Sequence, residues 1–335
     1  MFNFFSKSKM RVKALLLIII ILSVISCEKE EHIGEEPEVY LNKVELDKCS
    51  LLLVIDDTVT LNVVLSPSFA TDKIVIWRSS DKNVATVDTL GKVKPLKPGV
   101  TNIIVSAKIN NAIADTCSIR VFDTFTDTRD GNTYKIVEIG DQVWMAENLK
   151  YIPKLSSHSV LDSAFSKPVY FVYDYVGTNI HEAKKTDNYK TYGVLYNWFS
   201  AVNVTDGAIP DPSNLKGACP DGWHIPSITE WMKLKELYGN LTASKLKDSS
   251  KNYWKGTNYG VTNESGFTAL PSGQKLLLDD FEGLGYSTNF WTSNGYIGRH
   301  ASAIQMGYDF NLFMDFSQSK SSCYSVRCVR DKILN

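Results

Sequence analysis

At 335 residues the chain is long enough for two ordinary domains, and its 44% hydrophobic and 22% charged residues are those of a folded protein rather than a disordered one. The first 26 positions hold four of the 36 basic residues and no acid, which leaves 32 basic against 37 acidic residues, a formal charge of −5. That mildly acidic balance, with no basic stripe or polybasic run, argues against nucleic acid as a partner.

The chain opens on Lys7, Lys9, Arg11 and Lys13, followed by an unbroken apolar run over residues 14–22, the layout of a secretory signal. Residues 14–25 would reach only about 18 Å at ~1.5 Å per residue, short of a hydrocarbon core about 30 Å thick, so a spanning helix is excluded. Val24-Ile25-Ser26-Cys27 resembles the lipobox of bacterial lipoproteins. The resemblance implies that residues 1–26 are a signal peptide and that Cys27 becomes the lipidated first residue, a stable anchor that makes the membrane a partner. Residues 27–38 are acidic, lack apolar periodicity and read as a tether. Acids directly after Cys27 also resemble the surface-export signal of Bacteroidota lipoproteins, which implies a cell-surface location on the outer membrane. Five cysteines remain in such an exported chain, where disulfides persist. Five is odd, so at least one thiol is unpaired, pairs between molecules or does chemistry.

Short β-type runs separated by turns occupy residues 39–121. The runs fall at 58–65, 74–77, 84–87, 101–107 and 117–121, punctuated by Asp56-Asp57, Ser66-Pro67, Ser79-Ser80-Asp81, Gly91 and Pro98-Gly99. This spacing predicts an all-β sandwich. Val44-Glu45-Leu46-Asp47, Ala70-Thr71-Asp72-Lys73, Trp77-Arg78-Ser79-Ser80-Asp81 and Val84-Ala85-Thr86-Val87-Asp88 closely resemble the group 2 bacterial immunoglobulin-like domain of intimin- and invasin-type surface proteins. That implies an Ig-like domain over residues 39–122 with Trp77 filling the space between its sheets. Cys49 and Cys117 fall near the first and last strands, where a disulfide and two buried free thiols would look alike.

Residues 122–125 leave only a very short junction before a second domain at 125–333. Asp130-Gly131 and Gly140-Asp141 are hairpin dipeptides, and residues 134–139 and 142–145 read as paired strands. A polar and aromatic stretch follows to Tyr192, and residues 195–201 read as a short helix. Pro220-Asp221-Gly222 is a turn signal. Ser227 and Glu230 then have capping-box spacing, Ile228, Trp231, Leu234 and Tyr238 repeat at helical intervals, and Gly239 ends the helix. Strand-like runs close the chain around 290–291, 301–306, 312–316 and 325–329, which makes this half α+β.

Ile139-Gly140-Asp141-Gln142-Val143-Trp144-Met145-Ala146-Glu147-Asn148-Leu149, Tyr192-Gly193-Val194-Leu195-Tyr196-Asn197-Trp198, the segment from Cys219 to Trp231, Gly266-Phe267-Thr268-Ala269-Leu270-Pro271-Ser272-Gly273 and Ser325-Val326-Arg327-Cys328-Val329-Arg330 look like the Fibrobacter succinogenes major paralogous domain family. The Gly-Trp-His-Ile-Pro-Ser-x-x-Glu-Trp segment is also similar to formylglycine-generating enzymes and other C-type-lectin-like folds, so the resemblance implies a C-type-lectin-like fold for an exported, surface-attached module. Cys219 and Cys328 both lie within the family motifs, which implies a disulfide between them and leaves Cys323 spare. The competing enzyme reading is a copper(I) dithiolate at Cys323 and Cys328, similar to the Cys-x4-Cys of formylglycine-generating enzymes. The Glu-Pro-Asn and Trp-Asn-Asp motifs of calcium-dependent lectins are missing, and Asp279, Asp280 and Glu282 read as a solvated loop. His224, between Trp223 and Ile225, reads as a packed, hydrogen-bonded residue.

Rings set among Gly, Asn and Ser are the remaining candidates: Tyr253, Trp254, Tyr259, Tyr286, Trp291 and Tyr296. Exposed rings flanked by amides suit a sugar face or a protein partner. The expectation is a lipid-anchored surface protein in which an Ig-like stalk presents a head for adhesion or for binding a glycan or protein. It needs no cofactor or metal and performs no catalysis, and Trp254, Tyr286, Trp291 and Tyr296 form its contact surface. A structural pilus or surface-layer component is the third reading.

Overall fold

The computed structural model describes residues 38–331 except positions 56, 158–166, 205–210, 257–259, 277–279 and 312. The signal peptide, Cys27, nearly all of the tether, Tyr259 and Asp279 lie outside the described residues.

The first half holds β1 (Lys43–Leu46), β2 (Ser50–Val54), β3 (Val59–Thr60), β4 (Val63–Ser66), β5 (Val75–Ser79), β6 (Ala85–Val87), β7 (Lys92–Pro95), β8 (Gly99–Ala107) and β9 (Ala114–Thr126). β1 pairs with β4 and β7 sits between β3 and β6, while β5, β8 and β9 form an antiparallel ladder with β2 running parallel to β9. Alternation along these strands turns Leu53, Val93, Ile103, Cys117 and Ile119 inward to one apolar core. Trp77 packs against that core and against the neighbouring cluster of Val44, Val105 and Ala107, the filler position expected of it. Gly91, at φ +80°, passes so close beneath Trp77 that a Cβ there would lie 2.9 Å from the ring.

Cys49 and Cys117 are not bonded to each other, which corrects the disulfide alternative. Cys117 faces the sandwich interior from β9, whereas Cys49 sits exposed in the bend before β2. Burial pushes the Cys117 thiol up to about 12.

The junction expected at 122–125 is not a junction. β9 runs through it unbroken for 13 residues, pairing with β2 from Ser118 to Phe122 and with β10 (Thr133–Ile139) from Asp123 to Thr126. One sheet therefore continues from the first half into the second, where β10 pairs with β11 (Gln142–Met145) as the hairpin signals predict.

The second half adds β12 (Tyr170–Phe171), α1 (Ile180–Lys185), α2 (Asp187–Tyr192), β13 (Leu195–Asn197), α3 (Trp198–Val202), β14 (Trp223–His224), α4 (Ile228–Tyr238) and α5 (Thr242–Leu246). Strands β15 (Ser272–Lys275), β16 (Phe281–Leu284), β17 (Ser287–Gly295), β18 (His300–Gly307), β19 (Met314–Ser319), β20 (Cys323–Tyr324) and β21 (Val329–Arg330) complete it. α4 begins on the capping box as read from sequence: Ser227 and Glu230 satisfy each other's backbone N–H groups, and Gly239 closes the helix at φ +58°. The helix expected over 195–201 splits instead. Asn197 accepts from the Ser200 N–H at 3.0 Å as an N-cap, so the helix cannot start before Trp198 and Leu195–Asn197 pairs as a strand. The expected strand over 325–329 likewise shrinks to Val329–Arg330, because Arg327 turns into the core. Two aromatic cores result, one around Trp144, Trp231, Phe267 and Phe290 and one around Trp198, Trp223, Trp291 and Tyr324.

Candidate ligand-binding cleft

The Cys-Pro-Asp-Gly-Trp-His segment is fastened at both ends. Cys219 forms a disulfide with Cys328, closing a span of 109 residues. His224 on β14 is held by two carboxylates, Asp331 at 2.6 Å from Nδ1 and Glu230 at 2.8 Å from Nε2, with Glu230 also accepting from the Ser227 N–H. Burial alone would lower the His224 pKa, but the hydrogen bonds and charges of Glu230 and Asp331 outweigh it and raise the pKa. The histidine is the packed, hydrogen-bonded residue expected.

The disulfide corrects the copper reading: Cys328 sulfur is already bonded, so Cys323 has no thiol beside it at that position. Cys323 itself is enclosed, and burial pushes its thiol up to about 12, far from the thiolate a soft metal needs.

Loops and strand ends in this half are gathered by buried cations. The Arg327 guanidinium donates all five N–H groups: two to Asn148 Oδ1 (3.0 and 2.8 Å) and the others to the carbonyls of Met145, Phe267 and Thr268. It stacks 4.3 Å over Phe267, and burial lowers its pKa to about 9. Lys247 donates to the Gly307 and Phe310 carbonyls and lies 5.1 Å over Trp254, burial lowering its pKa to about 8. Lys320 donates to the carbonyls of Tyr296 and Gly298, both at 2.9 Å, over the Trp198 ring. Such charges are stable inside only because the hydrogen bonds replace their water.

Arg327 and Asn148 form the back of a cleft of about 290 Å³, at the small end of the range for small-molecule sites. Asn148 is committed, since its Nδ2 donates to the Tyr192 carbonyl and to Ser325 Oγ. Glu147 and Lys190 lie at the wall, and Tyr253, set edge-on to Tyr192 at 6.4 Å, stands at the mouth. Trp254 follows, anchored inside by its Nε1–H to the Ala269 carbonyl, and Lys255 emerges beyond it, 5.2 Å over the Tyr286 ring. Tyr286 meets Tyr308 edge-on at 5.5 Å. The loop over residues 253–255 thus links two tyrosine pairs, Tyr253 exposed over half-buried Tyr192 and Tyr286 exposed beside Tyr308, with the cleft at one end.

Of the four residues expected to form the contact surface, the structure corrects two. Trp254 (4% exposed) and Trp291 (0%) are interior, Trp291 donating to the Tyr196 carbonyl at 2.7 Å and stacking on Tyr324. Trp254 is enclosed by its loop and Trp291 lies in β17 among buried Asn289, Thr292 and Ser293, so a ring among Gly, Asn and Ser need not be outside. Tyr286 (47%) and Tyr296 (45%) are exposed but flank the nine-residue β17 at opposite ends, roughly 30 Å apart. Tyr192, Tyr308 and Lys255 were not anticipated. The pairing of Ser287 with Gly307 is what sets Tyr308 opposite Tyr286, and that register is invisible in the sequence.

Residues 137–330 match the family model described as the Fibrobacter succinogenes major domain, and residues 41–117 match the bacterial Ig-like domain (group 2). An uncharacterized protein of Clostridium acetobutylicum is 39% identical over 72 residues, 22% of this chain and 18% of that protein. Kappa-carrageenase of Pseudoalteromonas carrageenovora is 39% identical over 83 residues, 25% of this chain and 21% of that protein. The chain thus spans about a fifth of the length of these curated relatives. Among solved structures, domains 4 and 5 of the S-layer protein SbsC are 16% identical over 26% of this chain and 54% of that chain, with a TM-score of 0.22. An intimin mutant of EHEC O157:H7 is 14% identical over 26% of this chain and 53% of that chain, with a TM-score of 0.21.

Proposed function

Because the chain belongs to the Fibrobacter succinogenes major domain family, with a bacterial Ig-like domain ahead of it, we propose that it is a cell-surface binding protein. The Ig-like half is the stalk, anchored through lipidated Cys27 in the outer membrane, and the C-type-lectin-like half is the head that grips a glycan. The carrying observation is the placing of two tyrosine pairs, three of their four rings exposed, beside one cleft of mixed polar and apolar lining. Tyrosine faces stack on the C–H face of a sugar ring, while a carboxylate and an ammonium such as Glu147 and Lys190 bond its hydroxyls. The back wall is rigid, since Arg327 and Asn148 have every side-chain donor engaged within the protein.

The test is an array of glycans and matrix proteins probed with residues 27–335. Tyr253→Ala and Tyr286→Ala each lower glycan binding about tenfold, the value of one stacked ring. Tyr296→Ala, at the far end of β17, leaves it unchanged. Equal loss at Tyr296, or no loss at the other two, overturns the proposal.

A further inference from the structure

We infer that the Ig-like domain supplies an aliphatic wall of the head's cleft through Leu52, and that this wall selects sugars bearing a methyl group. The inference rests on the glycan reading of the cleft. Along β2, Leu53 faces the sandwich core and Leu52, 37% exposed, faces away from it. Leu52 is in register with Arg120 on β9. Arg120 reaches across to the head, its guanidinium donating to the Glu264 carbonyl. Gly266, at φ +74°, lies so close to the arginine stem that a Cβ there would stand 2.9 Å from Arg120 Cδ. The outer face of β2 and β9 is therefore seated on the loop that begins at Glu264, and Leu52 reaches the cleft beside Thr268 and Leu270 of that loop.

The cleft's lining then combines two chemistries. Leu52, Ala146 and Leu270 are aliphatic, while Glu147, Lys190 and Asp248 are charged. A hydroxyl pressed against the aliphatic side loses its water and gains no partner, whereas a methyl removes apolar surface from water on both partners. The fitting ligands are 6-deoxy and N-acetylated sugars, whose methyl groups lie on the rim of an otherwise hydroxylated ring.

The experiment compares full-length exported chain with its variants on immobilised D-fucose against galactose, and on N-acetylglucosamine against glucose. The wild type favours the methyl-bearing member of each pair about tenfold. Leu52→Asn abolishes the preference and Leu52→Met retains it, with the melting temperature of each variant measured alongside so that a loss of preference at an unchanged fold is told apart from unfolding. Tyr253→Ala weakens both members of each pair equally. If Leu52→Asn keeps the preference, or the wild type shows none, the wall is overturned while the cleft stands. If no sugar binds, or Tyr253→Ala changes nothing, the glycan reading itself fails.

Discussion

The Ig-like half and the head hold their backbones in different ways. In the first, β8 and β9 pair across eight consecutive positions, and the amide groups are satisfied by the ladder while an apolar core of Leu, Val and Ile fills the space between sheets. In the second, several strands are two residues long and their ends and the segments between them are gathered by Lys247, Lys320 and Arg327, whose hydrogen bonds run to carbonyls of loops and strand ends. Regular pairing needs only alternation in the sequence. Irregular backbone needs a dedicated donor for each stranded carbonyl, so each of those cations is a single point of failure.

The strongest way to break that contrast is Arg327→Met. It keeps much of the volume but strands the carbonyls of Met145, Phe267 and Thr268 and the Asn148 amide, and the expected cost in urea unfolding is about 3–5 kcal/mol. A loss below about 1 kcal/mol would mean that hydrophobic packing alone holds the head.

Removing the disulfide ranks next. The double variant Cys219→Ala, Cys328→Ala should lose about 2–4 kcal/mol through the freedom regained by a long unfolded loop. Because the sheet is continuous through β9, calorimetry should show the Ig-like half melting with the head. A separate, unshifted transition for the stalk would show that the shared strand does not couple them.

The smallest effect is a pH dependence centred on His224. Its raised folded-state pKa means that its contribution is complete below the unfolded value of about 6.5 and fades as pH rises through the higher folded value. The Glu230 pKa behaves oppositely: burial alone would raise it, but hydrogen bonds from His224 and Ser227 prevail and lower it. Its contribution is complete above the usual carboxylate range and fades as pH falls through the depressed value. His224→Gln should flatten the alkaline limb of a stability–pH curve, and an unchanged limb would assign that limb to other groups.

What could be read from sequence follows the same divide. The sandwich strands, Trp77 and the Ser227–Glu230 cap are local patterns, and each appears where alternation or spacing predicts. The Cys219–Cys328 bridge came from family resemblance and not from spacing. The cleft could not be read, because it is assembled from residues up to about 275 positions apart, Leu52 and Arg327 among them, by registers that no window reveals. Trp254 and Trp291 misled for different reasons: Trp254 is enclosed by the loop that carries it, and Trp291 lies in β17, where Asn289, Thr292 and Ser293 are buried along with it.

β9 has one more consequence. Proteases enter proteins at exposed, unpaired segments that can be drawn out into an active site, and tandem modules are commonly separated by cutting such a segment. Between the two halves, residues 118–121 of β9 are hydrogen-bonded on both sides, by β2 and β8, and residues 123–126 on one side, by β10. A cut that parts the two halves there must first peel β9 from β10, so limited proteolysis should leave them joined longer than an unpaired linker would.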